Sequence, residues 1–172
     1  MQYSLYDASV PVARDSLNSL KAILEKGEAQ SNAAELPEAK LHDDMFPLTF
    51  QVHLATDLAQ KMQARLTGKE PLELQKDLKT FKDMYARIDM VQELLSKTDR
   101  DTVNKYTEEK VPLRVGPTKE VQITGMGYTN GYALPNIFFH VMAAYAIMRK
   151  EGVPLGKMDY LKPYLSQYVE SL

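Results

Sequence analysis

"LPNIFFHVMAAYAIM", residues 134–148, is the most apolar stretch of the chain, and it still contains Pro135, Asn136 and His140. Its reading decides the fold. A membrane span needs about 20 predominantly apolar residues. The run from Tyr132 to Met148 is shorter, is interrupted by the proline and two polar groups, and passes straight into "RKEG". It is therefore expected to be a buried helix of a globular domain rather than a membrane anchor. Asn136 and His140 stand four residues apart, so they share one side of that helix, a turn from each other.

The start of this helix turns on its glycines and its proline. "TGMGYTNGYALPN" holds Gly125, Gly127 and Gly131, each of which would cost a helix interior about 1 kcal/mol relative to alanine. Pro135 inside a helix would also clash with the carbonyl of Gly131. The cheaper arrangement puts Pro135 in the first turn and the glycines in a preceding loop. Gly152 is the expected stop.

Outward from this helix, helical periodicity dominates. Val10, Ala13, Leu17, Leu20 and Leu24 recur at alternating spacings of three and four and define a first helix, with Pro11 expected in its first turn. A second helix is expected from about Asp44 or Phe46, with Pro47 in its first turn. Leu48, Val52, Ala55, Ala59, Met62 and Leu66 form its stripe, Gly68 its stop, and Asp44 its N-cap. A third carries Phe81, Tyr85, Ile88, Val91 and Leu95, and Thr80 with Asp83 matches the capping-box pattern at its start. The connection from Gly68 to Lys79 has 12 residues and spans roughly 40 Å when extended, enough to cross a bundle. Helices two and three therefore need not be antiparallel. Val111–Val115 and Glu120–Thr124 alternate apolar and polar residues around Gly116-Pro117 and predict a small hairpin. Leu161, Leu165 and Val169 mark a short C-terminal helix. The fold class is all-α: one domain of 172 residues, a four-helix bundle with a small β-hairpin before helix four.

Composition narrows the function. Lys and Arg number 21 against 23 Asp and Glu, a net charge of −2, so no basic excess is available to hold nucleic acid. The absence of cysteine excludes disulfides, thiolate catalysis and cysteine metal sites. No basic segment followed by an apolar run opens the chain, so a cytoplasmic location is expected.

No phosphate loop, dinucleotide turn, nucleophile elbow or H-E-x-x-H motif is present, which leaves the three histidines, His42, His53 and His140. His42 and His53 are 11 residues apart, on the order of 16 Å along a helix, so a metal shared by all three histidines gains no support from spacing. Asn136 and His140 either tie the helix start to the preceding loop or face a pocket in the bundle. Asp43, Asp44, Gln51 and His53 are the facing set from helix two. Gln51 and His53 are two apart and point to different sides. Tyr128 and Tyr132 are candidates for the mouth of such a pocket, or for ordinary aromatic packing.

"SLYDASVPV", "DDMFPLTFQV" and "GYALPNIFFHVMAAYAIMRKEGVPLGKMDYL" together resemble an uncharacterised helical family of fungi and bacteria related to the DinB/YfiT-like metalloenzymes. The likeness spans roughly residues 3 to 161. It implies an up-down-down-up bundle and a homodimer. The DinB-like metal pattern takes one histidine from helix two and a His-x-x-x-His pair from helix four. His53 and His140 fill two of those places, and Ala144 or Asn136 stands where the third histidine is wanted.

Three readings follow. The first is a cofactor-free enzyme acting on a small molecule, of isomerase, dehydratase or cyclase type. In it His140 is acid/base, Asp44 tunes it, and Asn136, Gln51, His53, Tyr132 and Tyr128 bind the ligand. The second is a DinB-like metal-dependent transferase. The third is a non-catalytic binding or dimerisation module.

Overall fold

The computed structural model describes residues 4–169. The first helix, α1 (Leu5–Glu28), opens on Ser4, whose hydroxyl accepts from Asp7 N while the Asp7 carboxylate takes the Ser4 N–H. This capping box starts the helix a turn earlier than expected. Pro11 thus lies in the second turn, not the first, where its missing N–H costs one helical hydrogen bond. The stripe is as expected: Val10, Ala13, Leu17, Leu20 and Leu24 are all fully buried.

α2 (Leu48–Arg65), by contrast, begins later than expected, at Leu48 with Pro47 as its cap residue. The residue before a proline is pushed away from helical geometry, so Phe46 cannot be helical. Asp44 is not the N-cap. Its side chain is 84% exposed and takes a 2.8 Å bond from His42 Nδ1. The stripe from Leu48 to Leu66 is buried as expected, and Gly68 past the end adopts φ +66°. α3 (Phe81–Ser96) starts at the Thr80–Asp83 capping box. Between α2 and α3 an extended strap runs back along α2. Gln60 anchors it by accepting from Leu72 N at 2.9 Å and donating to Leu72 O at 3.0 Å.

The short helix α4 (Arg100–Lys105), capped by Asp99, was not signalled by periodicity. Arg100 places two hydrogen bonds on the Asp7 carboxylate and so ties α4 to the start of α1. β1 (Lys110–Val115) and β2 (Lys119–Thr124) form the expected hairpin, antiparallel, with Arg114 opposite Glu120.

The most apolar segment departs furthest from expectation. No glycine loop precedes Pro135. Instead α5 (Gly125–Tyr128), a π-helical segment (Thr129–Ala133) and α6 (Leu134–Lys150) run on as one helix of 26 residues. The π segment pairs Leu134 N with Thr129 O, five residues back, and the wider turn gives the Pro135 ring room. The Asn136 side chain donates to Tyr132 O at 2.8 Å, so that carbonyl keeps a partner. Gly125 is needed for a close approach, because a Cβ there would collide with the Tyr106 carbonyl. The continuous helix is long and apolar enough to cross a membrane, contrary to the length estimate, but half of its apolar window is buried in the bundle, as in a core helix.

Side-chain pairs fix the helix directions. Arg14 meets Gln92, Lys21 meets Asp89 and Glu28 meets Tyr85, so α1 and α3 are antiparallel. His140 meets Gln51 while Gly125 abuts Leu66, so α2 and α6 are antiparallel. Leu5 shares a cavity with Met126, and Gly27 abuts Met148, so α1 and α6 run the same way. The order is up-down-down-up, with the long strap permitting α2 and α3 to be parallel. α7 (Lys157–Leu165) packs on α1 through Tyr164, whose hydroxyl donates to Ser16 Oγ at 3.0 Å. Leu161 and Leu165 are half-buried, whereas Val169 lies past the helix end and is exposed, contrary to its expected place on the apolar side.

Candidate functional site

Tyr128, Tyr132, Asn136 and His140 are spaced by four along the long helix, on the side toward α2. Gln51 lies opposite His140. Its amide nitrogen donates to Phe46 O at 2.9 Å, which leaves Oε1 to accept from His140 Nδ1 at 2.8 Å. The Nδ1 proton is thereby assigned, and Nε2 carries the lone pair. Burial holds the His140 pKa down at about 4, so the ring is neutral near pH 7.

His53 faces elsewhere. It is 3% exposed, packs against Phe50, and presents Nδ1 to the Arg87 guanidinium at 3.3 Å. A guanidinium only donates, so His53 Nδ1 is an acceptor and the ring is neutral. Burial first, and then the neighbouring Arg87, Lys76 and Lys61, lower its pKa against the pull of Asp57. The structure thus brings His140 to Gln51 and His53 to α3, and leaves Asp44 with His42 at the surface. Asn136 is committed to the helix backbone.

The concave surface lies at the other end of the same α2–α6 face. A cleft of about 720 Å³ is enclosed by Leu54, Asp57, Leu58, Lys61 and Arg65 of α2, by the hairpin, and by Tyr128 and Tyr132. The two tyrosine rings pack at 5.5 Å between centroids. Tyr128 is 4% exposed, and neither hydroxyl has a hydrogen-bond partner among the described residues. Burial, with Tyr132 adjacent, raises the Tyr128 pKa to about 12, so this hydroxyl stays protonated and can donate. The Asp57 carboxylate accepts from Gln60 Nε2 and from Lys61 Nζ. A second cleft of about 490 Å³ lies beneath the strap, lined by His53 and residues 70–76, and shares Asp57 and Lys61 with the first.

Three of the expected binding residues therefore line a cavity: Tyr128 and Tyr132 the first cleft, and His53 the second. The sequence reading missed Asp57, Lys61, Arg65, Arg114 and Glu120 around the tyrosines. A usable signal existed in Asp57, Lys61 and Arg65, which recur every four residues on one face of α2.

A family model described as "Domain of unknown function (DUF1993)" matches residues 5–161. The chain belongs to the DUF1993 family. A crystal structure of a DinB family member from Shewanella denitrificans shares 31% identity and superposes with a TM-score of 0.81, covering 91% of each chain. No curated protein matches the chain. The DUF1993 chain thus has a DinB-like bundle, but its residues do not fit a DinB-style metal centre. His53 already faces a guanidinium, His140 is bonded to Gln51, and of the two residues at the third position Ala144 has no ligating group while Asn136 donates to Tyr132 O. Among the described residues no group of three His, Asp or Glu side chains converges as a metal site.

Proposed function

We propose that this protein acts on a small molecule in the cleft bounded by α2, the hairpin and the Tyr128–Tyr132 pair, without a bound metal. The observation that carries the reading is the pair of tyrosines, neither hydroxyl hydrogen-bonded among the described residues, that lines a cavity also taking Lys61 and Arg65. Pockets of a few hundred Å³ with a few convergent polar groups are the usual form of small-molecule sites.

The chemistry suited to this set is stabilisation of a developing oxyanion. Tyr128 and Tyr132 donate to a carbonyl or enolate oxygen, and Arg65 adds positive charge beside them. Isomerisations, dehydrations and cyclisations that begin by deprotonation next to a carbonyl pass through such species. His140 takes a positioning role in this reading: neutral and bonded to Gln51, it holds α2 against α6 two turns from the tyrosines.

The test is a thermal-shift screen of small molecules on the wild type and on Leu54→Trp, whose indole fills the cleft from its half-buried α2 wall. Compounds that stabilise the wild type are expected to lose their effect on the variant. Compounds that stabilise both equally would place binding elsewhere and refute the reading.

A further inference from the structure

Arg65 has no ion pair and no side-chain hydrogen bond among the described residues, yet it is half-buried and lines the cleft beside Tyr128. Its position in the last turn of α2 suits a cation, because the helix dipole is negative there. That does not explain why a guanidinium at a cavity wall finds no protein acceptor among the described residues. The lining carries three cations, Lys61, Arg65 and Arg114, against two carboxylates, Asp57 and Glu120. Lys61 is paired with Asp57, and Arg114 shares a register position with Glu120 on the hairpin. Arg65 is the cation that is neither paired nor in register with a lining carboxylate.

The rest of the lining is apolar: Leu54, Leu58, Pro112 and Leu113 run along the walls. Arg65 stands at the C-terminal end of α2 and Leu54 and Leu58 lie further back along the same helix, so a cation and apolar wall residues face one cavity. We propose that the ligand of this cleft is an amphiphilic organic anion, with its carboxylate or other oxyanion on Arg65 and its apolar or aromatic part against Leu54, Leu58 and Pro112. A guanidinium receives a planar oxyanion through two parallel hydrogen bonds, and neighbouring tyrosine donors complete its shell. This inference rests on the cleft being the site.

Two fluorescent probes separate the claims. 8-Anilinonaphthalene-1-sulfonate carries an anion on an apolar body, and N-phenyl-1-naphthylamine is the same body without charge. The anionic probe is expected to bind the wild type more tightly than the neutral one. Arg65→Met should weaken the anionic probe by about 10- to 100-fold, the range for a charged hydrogen bond, and leave the neutral probe within about twofold. Arg65→Lys should recover most of the loss, since the charge is kept and only the fork geometry is lost. Leu54→Trp should expel both probes, with thermal melts confirming that each variant is folded.

If Arg65→Met leaves the anionic probe unchanged while Leu54→Trp expels it, the anion assignment is overturned and the cleft reading survives. If Leu54→Trp expels neither probe, both fall. Failure of the wild type to prefer the anionic probe also overturns the assignment.

Discussion

Acid is expected to weaken the fold through His140. In the folded chain burial lowers its pKa from 6.5 to about 4, while in the unfolded chain it titrates near 6.5. Between those values the unfolded state holds the proton and the folded state does not. Stability therefore falls as pH falls. The contribution is complete above about 6.5 and is lost as pH drops through about 4. At about 1.36 kcal/mol per pH unit the interval corresponds to roughly 3 kcal/mol, and partial solvent screening of the half-buried ring reduces this to about 2 kcal/mol.

The measurement is urea unfolding of the wild type and His140→Leu at several pH values between about 7.5 and about 4. At the upper end the variant should be less stable by about 1–3 kcal/mol, because Gln51 Oε1 loses its donor. At the lower end that gap should shrink by about 2 kcal/mol, since leucine has no proton to refuse. His53, whose pKa is also lowered, acts in the same direction in both proteins and cancels in the difference. So do the carboxylates of Asp7, Asp83, Asp99 and Asp159, which are held low by their hydrogen bonds and ion pairs. A gap that stays constant within about 0.5 kcal/mol across the range would show that His140 is not buried against protonation.

Three further expectations follow from the geometry. Gly131→Ala, where a Cβ meets nothing within 4 Å, should raise Tm by about 2–4 °C, as for a helix interior. Gly125→Ala should lower Tm, because its Cβ collides with the Tyr106 carbonyl; a loop at Gly131 would show no gain. Gln60→Leu removes both bonds to Leu72, so hydrogen exchange of residues 69–79 should speed up, corresponding to a loss of about 1–3 kcal/mol, while α1 and α6 keep their protection. Calorimetric titration with zinc should show no one-to-one site tighter than about 1 µM, and His53→Ala should not change the result.

Much of the fold was legible because the signals are local. The stripes of α1, α2 and α3, the Thr80–Asp83 box, the Gly68 stop and the hairpin each rest on a few neighbouring residues. The long strap sufficed to allow parallel α2 and α3. Asp44 and Pro11 misled because the favoured N-cap and first-turn roles of aspartate and proline were outweighed by neighbours: the Pro47 restriction on Phe46 in one case, the Ser4–Asp7 box in the other. α4 has six residues, too few for a period. The charged cleft escaped because Asp57, Lys61 and Arg65 look like a solvated helix face until the hairpin and the tyrosines close over them.

The π segment is the element that links the misread stretch to the candidate site. In a regular α-helix a step of four residues overshoots a full turn by about 40°, so four residues spaced by four drift around the axis by about 120°. A segment with five-residue hydrogen bonds has more than four residues per turn. The step from Tyr128 to Tyr132 through it undershoots, and this offsets the drift from Tyr132 to His140. Tyr128 and Tyr132 consequently stay on the α2 side, opposite Lys61 and Arg65, while His140 still reaches Gln51. The arrangement has a cost: Thr129 within the segment is fully buried and its hydroxyl finds no partner among the described residues. A plain helix here would set the Pro135 ring against the Gly131 carbonyl, so the wider turn serves packing as well. The same turn leaves Tyr128 and Tyr132 lining the cleft while His140 ties α6 to α2.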